Sequence, residues 1–196
     1  MARAHEALLG GLVGLIAGAG FPCPAHAQMV NVTVRIENQA NLPTDLLTAA
    51  ESRVAVMYAN AGVDMTFVNR DDADVMIRLL SREGEERMQR DADTMGFAPY
   101  AASDRGRIAY VFQTRVDNIT KGYSAARYIV LAVAMAHEVG HLLLPLHAHS
   151  TTGIMKATPG QKEFQLAVGG QLLFTPEQIA QINRRLVDDT PRVVAR

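Results

Sequence analysis

The chain has 196 residues, 20 acidic and 19 basic side chains, six histidines and a formal net charge of −1. That length suits one domain with a substantial core, and the near-neutral balance without long runs of like charge argues against a nucleic-acid partner. The single cysteine, Cys23, excludes a disulfide framework.

The first stretch is expected to be removed. Arg3 precedes the apolar run "ALLGGLVGLIAGAGF", and "PCPAHA" then ends in the small-x-small pattern Ala25-His26-Ala27. This layout predicts a secretory signal peptide over residues 1–27, cleaved after Ala27. A membrane anchor is the weaker reading, because the run is short of the roughly 20 residues that span a bilayer. "GFPC" also lacks the aliphatic and small residues that precede a lipid-anchored cysteine. The expectation is therefore a secreted or periplasmic protein whose residues 28–196 form one domain, monomeric and not attached to a membrane. Cys23 leaves with the signal, so any metal must be held by histidine and carboxylate.

In chain order, "MVNVTVRIE" alternates Val30, Val32, Val34 and Ile36 with polar residues and predicts a strand. "LPTDLLTAAESRVAVMYANAG" carries Leu47, Ala50, Val54 and Met57 at helical spacing and stops at Gly62. "VDMTFV" and "DVMIRLLS" predict two further strands. "REGEERMQRDADT" is polar and aperiodic, a loop or a short surface helix. A short extended piece is expected near Phe97, and "RIAYVFQTRV" predicts a strand rich in β-formers.

"GYSAARYIVLAVAMAHEVGHLLL" then predicts a long helix, with Ser124 as N-cap and Pro145 forcing its end. It is apolar on nearly all sides and therefore buried. Near the end, Thr175 and Gln178 form a capping box with Pro176 at the first helical position, and Ile179, Ile182 and Leu186 make one apolar face.

The chemistry lies in "AHEVGHLLLPLHAHSTTGIM", which holds His137, His141, His147 and His149. His137 and His141 stand four apart and share a helix face, with Glu138 beside them. Neutral imidazoles suit Zn2+ in a tetrahedral site with a position left for water. A zinc-bound water has a pKa of about 7, and Glu138 is placed to take its proton as general base. A third ligand is needed, and either His147 or His149 can supply it.

His137-Glu138-x-x-His141, a downstream histidine and Gly153-Ile154-Met155 together resemble the metzincin zinc peptidases, whose pattern is H-E-x-x-H-x-x-G-x-x-H followed by a methionine turn. "HSTTGIM" is also similar to the corresponding segment of secreted bacterial zincins. The resemblance covers the motif stretch and the order of elements from Met29 to Leu144. It implies an α/β (α+β) zincin with a mixed twisted sheet of four to five strands. A backing helix would lie near Pro43–Asn60, the active-site helix near Ser124–Leu144, and a small C-terminal part would carry the Met-turn at Met155 and a closing helix. It implies zinc-dependent cleavage of an extended peptide or protein substrate, which would pair with a sheet edge near Gly96–Pro99.

This sequence departs from the pattern at Leu144, which stands where the family has its turn glycine. That glycine takes a positive φ, costly for leucine. The turn is thus expected later, at Pro145-Leu146, which favours His149 over His147 as third ligand. The histidine left unbound would lie close to the metal without touching it. Ala157 occupies the position where some metzincins carry a tyrosine, so no tyrosine assists from there. A glutamate ligand of the thermolysin kind, Glu163 or Glu177, is the weaker alternative, since both read as solvated charges.

A secreted zinc-binding domain without peptidase activity, in a binding or envelope role, is the competing function. Glu138 speaks for the enzyme, because a closed structural site needs a fourth ligand and no base.

Overall fold

The computed structural model describes residues 29–90, 94–99, 106–123, 125–146 and 148–189. The proposed signal segment, Ser124 and His147 lie outside the described residues.

Five strands form one mixed sheet in the order β2-β1-β3-β5-β4. They are β1 (Val30–Asn38), β2 (Val63–Phe67), β3 (Val75–Leu80), β4 (Gly96–Phe97) and β5 (Ile108–Phe112). The first four in spatial order run parallel, and β4 closes one edge antiparallel to β5, with Gly96 opposite Val111 and Phe97 opposite Tyr110. Six helices accompany the strands among the described residues: α1 (Thr44–Ala59), α2 (Arg82–Met88), α3 (Gln113–Gly122), α4 (Arg127–Leu143), α5 (Gln161–Val168) and α6 (Pro176–Asp189). The fold is thus α/β, with the five strands at the upper end of the expected number.

The two-residue alternation of each strand decides which face meets the helices. Val32, Val34, Met65, Ile77, Leu79, Ala109 and Val111 are buried. They share a core with Val54, Met57 and Tyr58 of α1 and with the long buried run of α4. The alternate positions carry polar pairs: Arg78 donates from Nε to Glu37 at 2.8 Å and lies over the Tyr110 ring. One face of the sheet therefore holds α1 and α4, and α4 presents its motif at the end nearest β4.

Three elements differ from expectation. The strand predicted through Val116 stops at Phe112, and α3 begins at once. Glu85 of α2 accepts the Thr114 N–H at 2.6 Å, and Arg115 donates to the carbonyls of Thr94 and Arg90. Glu85 satisfies an amide of the helix start and the Arg115 side chain ties that start to Thr94 and Arg90, and these long-range partners override the β-propensity of Thr114 and Val116. Helix α4 starts at Arg127, later than predicted, where Arg127 holds Asp117 of α3 in a two-pronged ion pair at 2.6 and 3.1 Å. Helix α5 was not expected from the sequence. Its start is organised by Glu163, which accepts the Gly160 N–H at 2.9 Å and the Lys156 ammonium at 2.8 Å.

The capping box of α6 is present: Gln178 accepts the Thr175 N–H at 3.0 Å, and Thr175 Oγ accepts the Gln178 N–H at 3.3 Å. No helix among the described residues is long and apolar enough to cross a membrane.

Candidate metal centre

Helix α4 is buried on nearly every side, so its polar residues stand out against an apolar background. His137 and Glu138 are buried at 7% and 5% exposure, and His141, one turn after His137, is partly exposed. The helix then ends without a left-handed residue. Leu144 has φ −108° and ψ 161°, an ordinary extended conformation, and its N–H still bonds to the Gly140 carbonyl at 2.9 Å. Leucine here avoids the positive φ that the family's glycine adopts, and the chain turns beyond it.

The returning segment brings His149 back over α4. The Nε2 atoms of His137 and His141 are 3.1 Å apart, those of His141 and His149 3.1 Å, and those of His137 and His149 3.3 Å. Ligands about 2.0–2.1 Å from a tetrahedral ion stand about 3.3–3.4 Å from one another, so the three atoms match one coordination sphere closely. The group could hold a metal ion, and it contains no carboxylate.

The tautomer of His137 is set by its other nitrogen: Nδ1–H donates to the Ile154 carbonyl at 2.9 Å. That bond leaves the Nε2 lone pair free and orients the ring. Burial lowers the His137 pKa to about 4, against a raising effect of the Ile154 bond and a lowering one of His149. Burial, then the neighbouring His137 and His149, lower that of His141 to about 3. Both rings are therefore neutral at pH 7, the form that binds metal. Burial raises the Glu138 carboxyl to about 8. A divalent cation beside it acts in the opposite direction, favouring the carboxylate.

Two glycines make close approaches that the motif alone does not reveal. A Cβ on Gly96 would lie 2.5 Å from both the Glu138 Cγ and the Tyr110 carbonyl oxygen, so only glycine lets β4 pass over Glu138. A Cβ on Gly140 would overlap the sulfur of Met155. Met155 is fully buried against α4 at the turn between His137 and His141, and the adjacent Ile154 carbonyl orients His137. In the sequence, Gly140 is only a weak helix residue. Its reason is spatial.

A cleft of about 1060 Å³ opens over the histidines and Glu138. Its walls include Gly96 and Phe97 of the edge strand, Asn118 and Ile119 of α3, and Thr158 and Pro159 of the loop after Met155. Of the edge expected near Gly96–Pro99, Gly96 and Phe97 form the last strand of the sheet among the described residues and line the cleft beside the histidines, whereas Ala98 and Pro99 lie outside the strand. The cleft contribution of α3 had no counterpart in the sequence reading, which took the first residues of the helix, to Val116, as the end of a strand and assigned no element to Asn118 and Ile119.

His137, Glu138, His141 and His149 are brought together in this way, with Met155 beneath them. Glu163 requires a correction. It is not a solvated charge but is 4% exposed, paired with Lys156. Its carboxyl is pushed up by burial but more strongly held down by the hydrogen bonds from Lys156 and Gly160, ending below the ordinary value. Glu177 is exposed, and neither glutamate belongs to the metal-capable group. No protein-family model matches the chain and no curated protein is significantly similar to it, so the candidate site stands on its own residues and geometry.

Proposed function

We propose that the chain is a secreted or periplasmic, zinc-dependent endopeptidase of the metzincin kind. One observation carries this reading: three imidazole Nε2 atoms 3.1–3.3 Å apart, with Glu138 next in sequence, at the base of a cleft bounded by an antiparallel edge strand. Among the described residues the donor set is all nitrogen, which suits zinc among the common divalent ions, and it supplies three ligands rather than the four of a closed structural site. Zinc, when bound, would polarise a water and a substrate carbonyl.

The chain's own residues do the rest. His137, His141 and His149 hold the ion, His137 with its ring fixed by the Ile154 carbonyl. Met155 provides an apolar floor. Glu138 accepts the proton of the attacking water on a carboxylate oxygen and passes it to the leaving amine. An extended peptide adds to the outer edge of β4 through main-chain hydrogen bonds, which lays its scissile bond across the histidines. Gly96 keeps that strand close to Glu138.

The test is zinc content together with cleavage of a peptide library by the purified chain, alongside Glu138→Gln. The variant is expected to keep its zinc and lose turnover by about 100-fold or more, because an amide cannot take the water's proton. Wild-type turnover in the zinc-loaded variant would overturn the mechanism. Full zinc occupancy without cleavage of any peptide by the wild type would instead favour a zinc-binding protein that is not a peptidase.

A further inference from the structure

His137 and His141 are placed by their own helix, but His149 is exposed and lies in a segment without helix or strand. Its position must come from elsewhere. The residues on either side of it supply the answer. Gln178, on the first turn of α6, donates from Nε2 to the Ala148 carbonyl at 2.9 Å and to Ser150 Oγ at 3.3 Å. Both partners flank His149 directly. The side chain is 6% exposed, so these bonds form away from competing water.

The amide cannot turn over. Its Oε1 accepts the Thr175 N–H at 3.0 Å. A flipped amide would set Nε2 against that N–H and Oε1 against the Ala148 carbonyl, a repulsive contact at each end. Ser150 Oγ in turn donates to the Thr152 carbonyl at 2.7 Å, and the Ser150 N–H donates to the Met155 carbonyl at 2.9 Å. One carboxamide thus ties the start of α6 to the segment of the third histidine, and through Ser150 to the turn that holds Met155.

We infer that Gln178 is the positioning residue of His149: its amide holds the backbone carbonyl before that histidine and the hydroxyl side chain after it, and so presets the third arm of the metal site. The inference rests on the reading of the three histidines as metal ligands. Helix capping uses only the oxygen of the same amide, and the positioning role uses only the nitrogen. The two roles can therefore be separated by substitution.

Gln178→Glu keeps an oxygen to accept the Thr175 N–H but loses both donors, and its second oxygen faces the Ala148 carbonyl. Thr175→Ala removes the hydroxyl from the cap but leaves both donors. Three measurements are made on the full chain: zinc affinity by competition with a chromophoric chelator, thermal unfolding of the metal-free protein, and hydrogen exchange at the Ser150 amide without metal. Gln178→Glu is expected to weaken zinc binding by about tenfold or more, in the range of losses seen when ligand-supporting groups are removed. It is also expected to speed Ser150 exchange. Thr175→Ala is expected to lower the unfolding temperature while leaving zinc affinity and Ser150 exchange as in the wild type. Gln178→Met, close in length and without polar side-chain atoms, replaces the glutamate variant if that one does not fold.

Unchanged zinc affinity in Gln178→Glu, given a wild type that binds zinc, overturns the positioning role alone. So does an equal loss of affinity in Thr175→Ala, which would mean that general loosening of α6 is enough. A wild type that binds no zinc overturns the metal reading and the ligand-positioning role with it.

Discussion

Two regions meet at the candidate metal centre, and they hold their histidines by different physics. Helix α4 presents His137 and His141 through its own hydrogen-bond ladder, inside a buried element that packs on the sheet and α1. The segment 148–156 has no such ladder. It is held by single bonds to other parts of the chain, Gln178 to Ala148 and the Ile154 N–H to the Leu173 carbonyl at 3.0 Å, and by one bond within itself, from Ser150 to Met155. The helix half is preorganised by local geometry, and the other half by long-range contacts that form only when the C-terminal part docks. Preorganisation of a ligand set by its surroundings lowers the ordering cost of binding. The second region is thus where metal affinity is most easily changed without unfolding the chain.

The sharpest way to test this contrast is to remove histidines one at a time. His137→Ala and His149→Ala each remove one arm of the triad, and each is expected to weaken zinc binding by more than about 100-fold, beyond the usual loss for an outer contact. His147→Ala is expected to stay within about tenfold of the wild type, because the proposed site takes its three ligands from His137, His141 and His149. Metal content after dialysis against graded chelator checks all three. If His147→Ala lost zinc and His149→Ala kept it, the placement of the third ligand would be wrong although the helix pair would stand.

The contact between the helix and the edge strand comes next in size. Gly96→Ala places a methyl against the Tyr110 carbonyl oxygen, part of the backbone and unable to yield, and against Glu138. Overpacking of this kind costs about 1–3 kcal/mol. The expected result is a lower unfolding temperature and reduced turnover with zinc retained. Turnover equal to the wild type would show that β4 does not set the position of Glu138.

Gly140→Ala probes the contact between helix and methionine, and two effects oppose each other there. Alanine gains about 1 kcal/mol in helix propensity, whereas overlap with Met155 costs about 1–3 kcal/mol, lessened by the flexibility of a thioether. Net destabilisation of about 1 kcal/mol is expected, seen as a fall of about 2–4 °C in unfolding temperature for a chain of this size. A double-mutant cycle with Met155→Ala should show coupling between the two positions. A more stable Gly140→Ala protein would mean that Met155 moves aside freely.

An effect of similar size, but one that depends on pH, lies in the second region, at the Lys156–Glu163 pair. The folded-state carboxyl titrates below its ordinary value of 4.5, so its stabilisation is complete above pH 4.5 and is lost as the pH falls through the lower folded-state value. Glu163→Gln is expected to unfold about 2–4 °C below the wild type at neutral pH, corresponding to about 1 kcal/mol. The difference should shrink in acid. A constant difference across that range would assign the loss to packing rather than charge.

Much of this was legible in the residue pattern where order is local. Strands β1, β2 and β3, helix α1 and the capping box of α6 follow from alternation, helical spacing and cap chemistry within a few residues. Helix α3 was not legible, because Glu85 and Arg115 complete its start with partners more than twenty residues away. Glu163 looked solvated for a different reason: its partners Lys156 and Gly160 are near in the chain, but α5 itself was not expected, so neither its burial nor its role at the helix start was foreseen.

At the metal centre the division is equally physical. The spacing His137-Glu138-x-x-His141 determines by itself that two imidazoles share a helix face, because four residues make about one turn. The sequence also excluded thiolate ligands from residues 28–196, and Leu144 in place of the usual glycine weighed toward a later return of the chain. Only the tertiary structure decided that His149 closes to within 3.3 Å of His137, that glycine at 96 and 140 admits the edge strand and Met155, and that Gln178 holds the returning segment. These are contacts between elements far apart in the chain, and their geometry depends on how the elements dock, which no local pattern encodes.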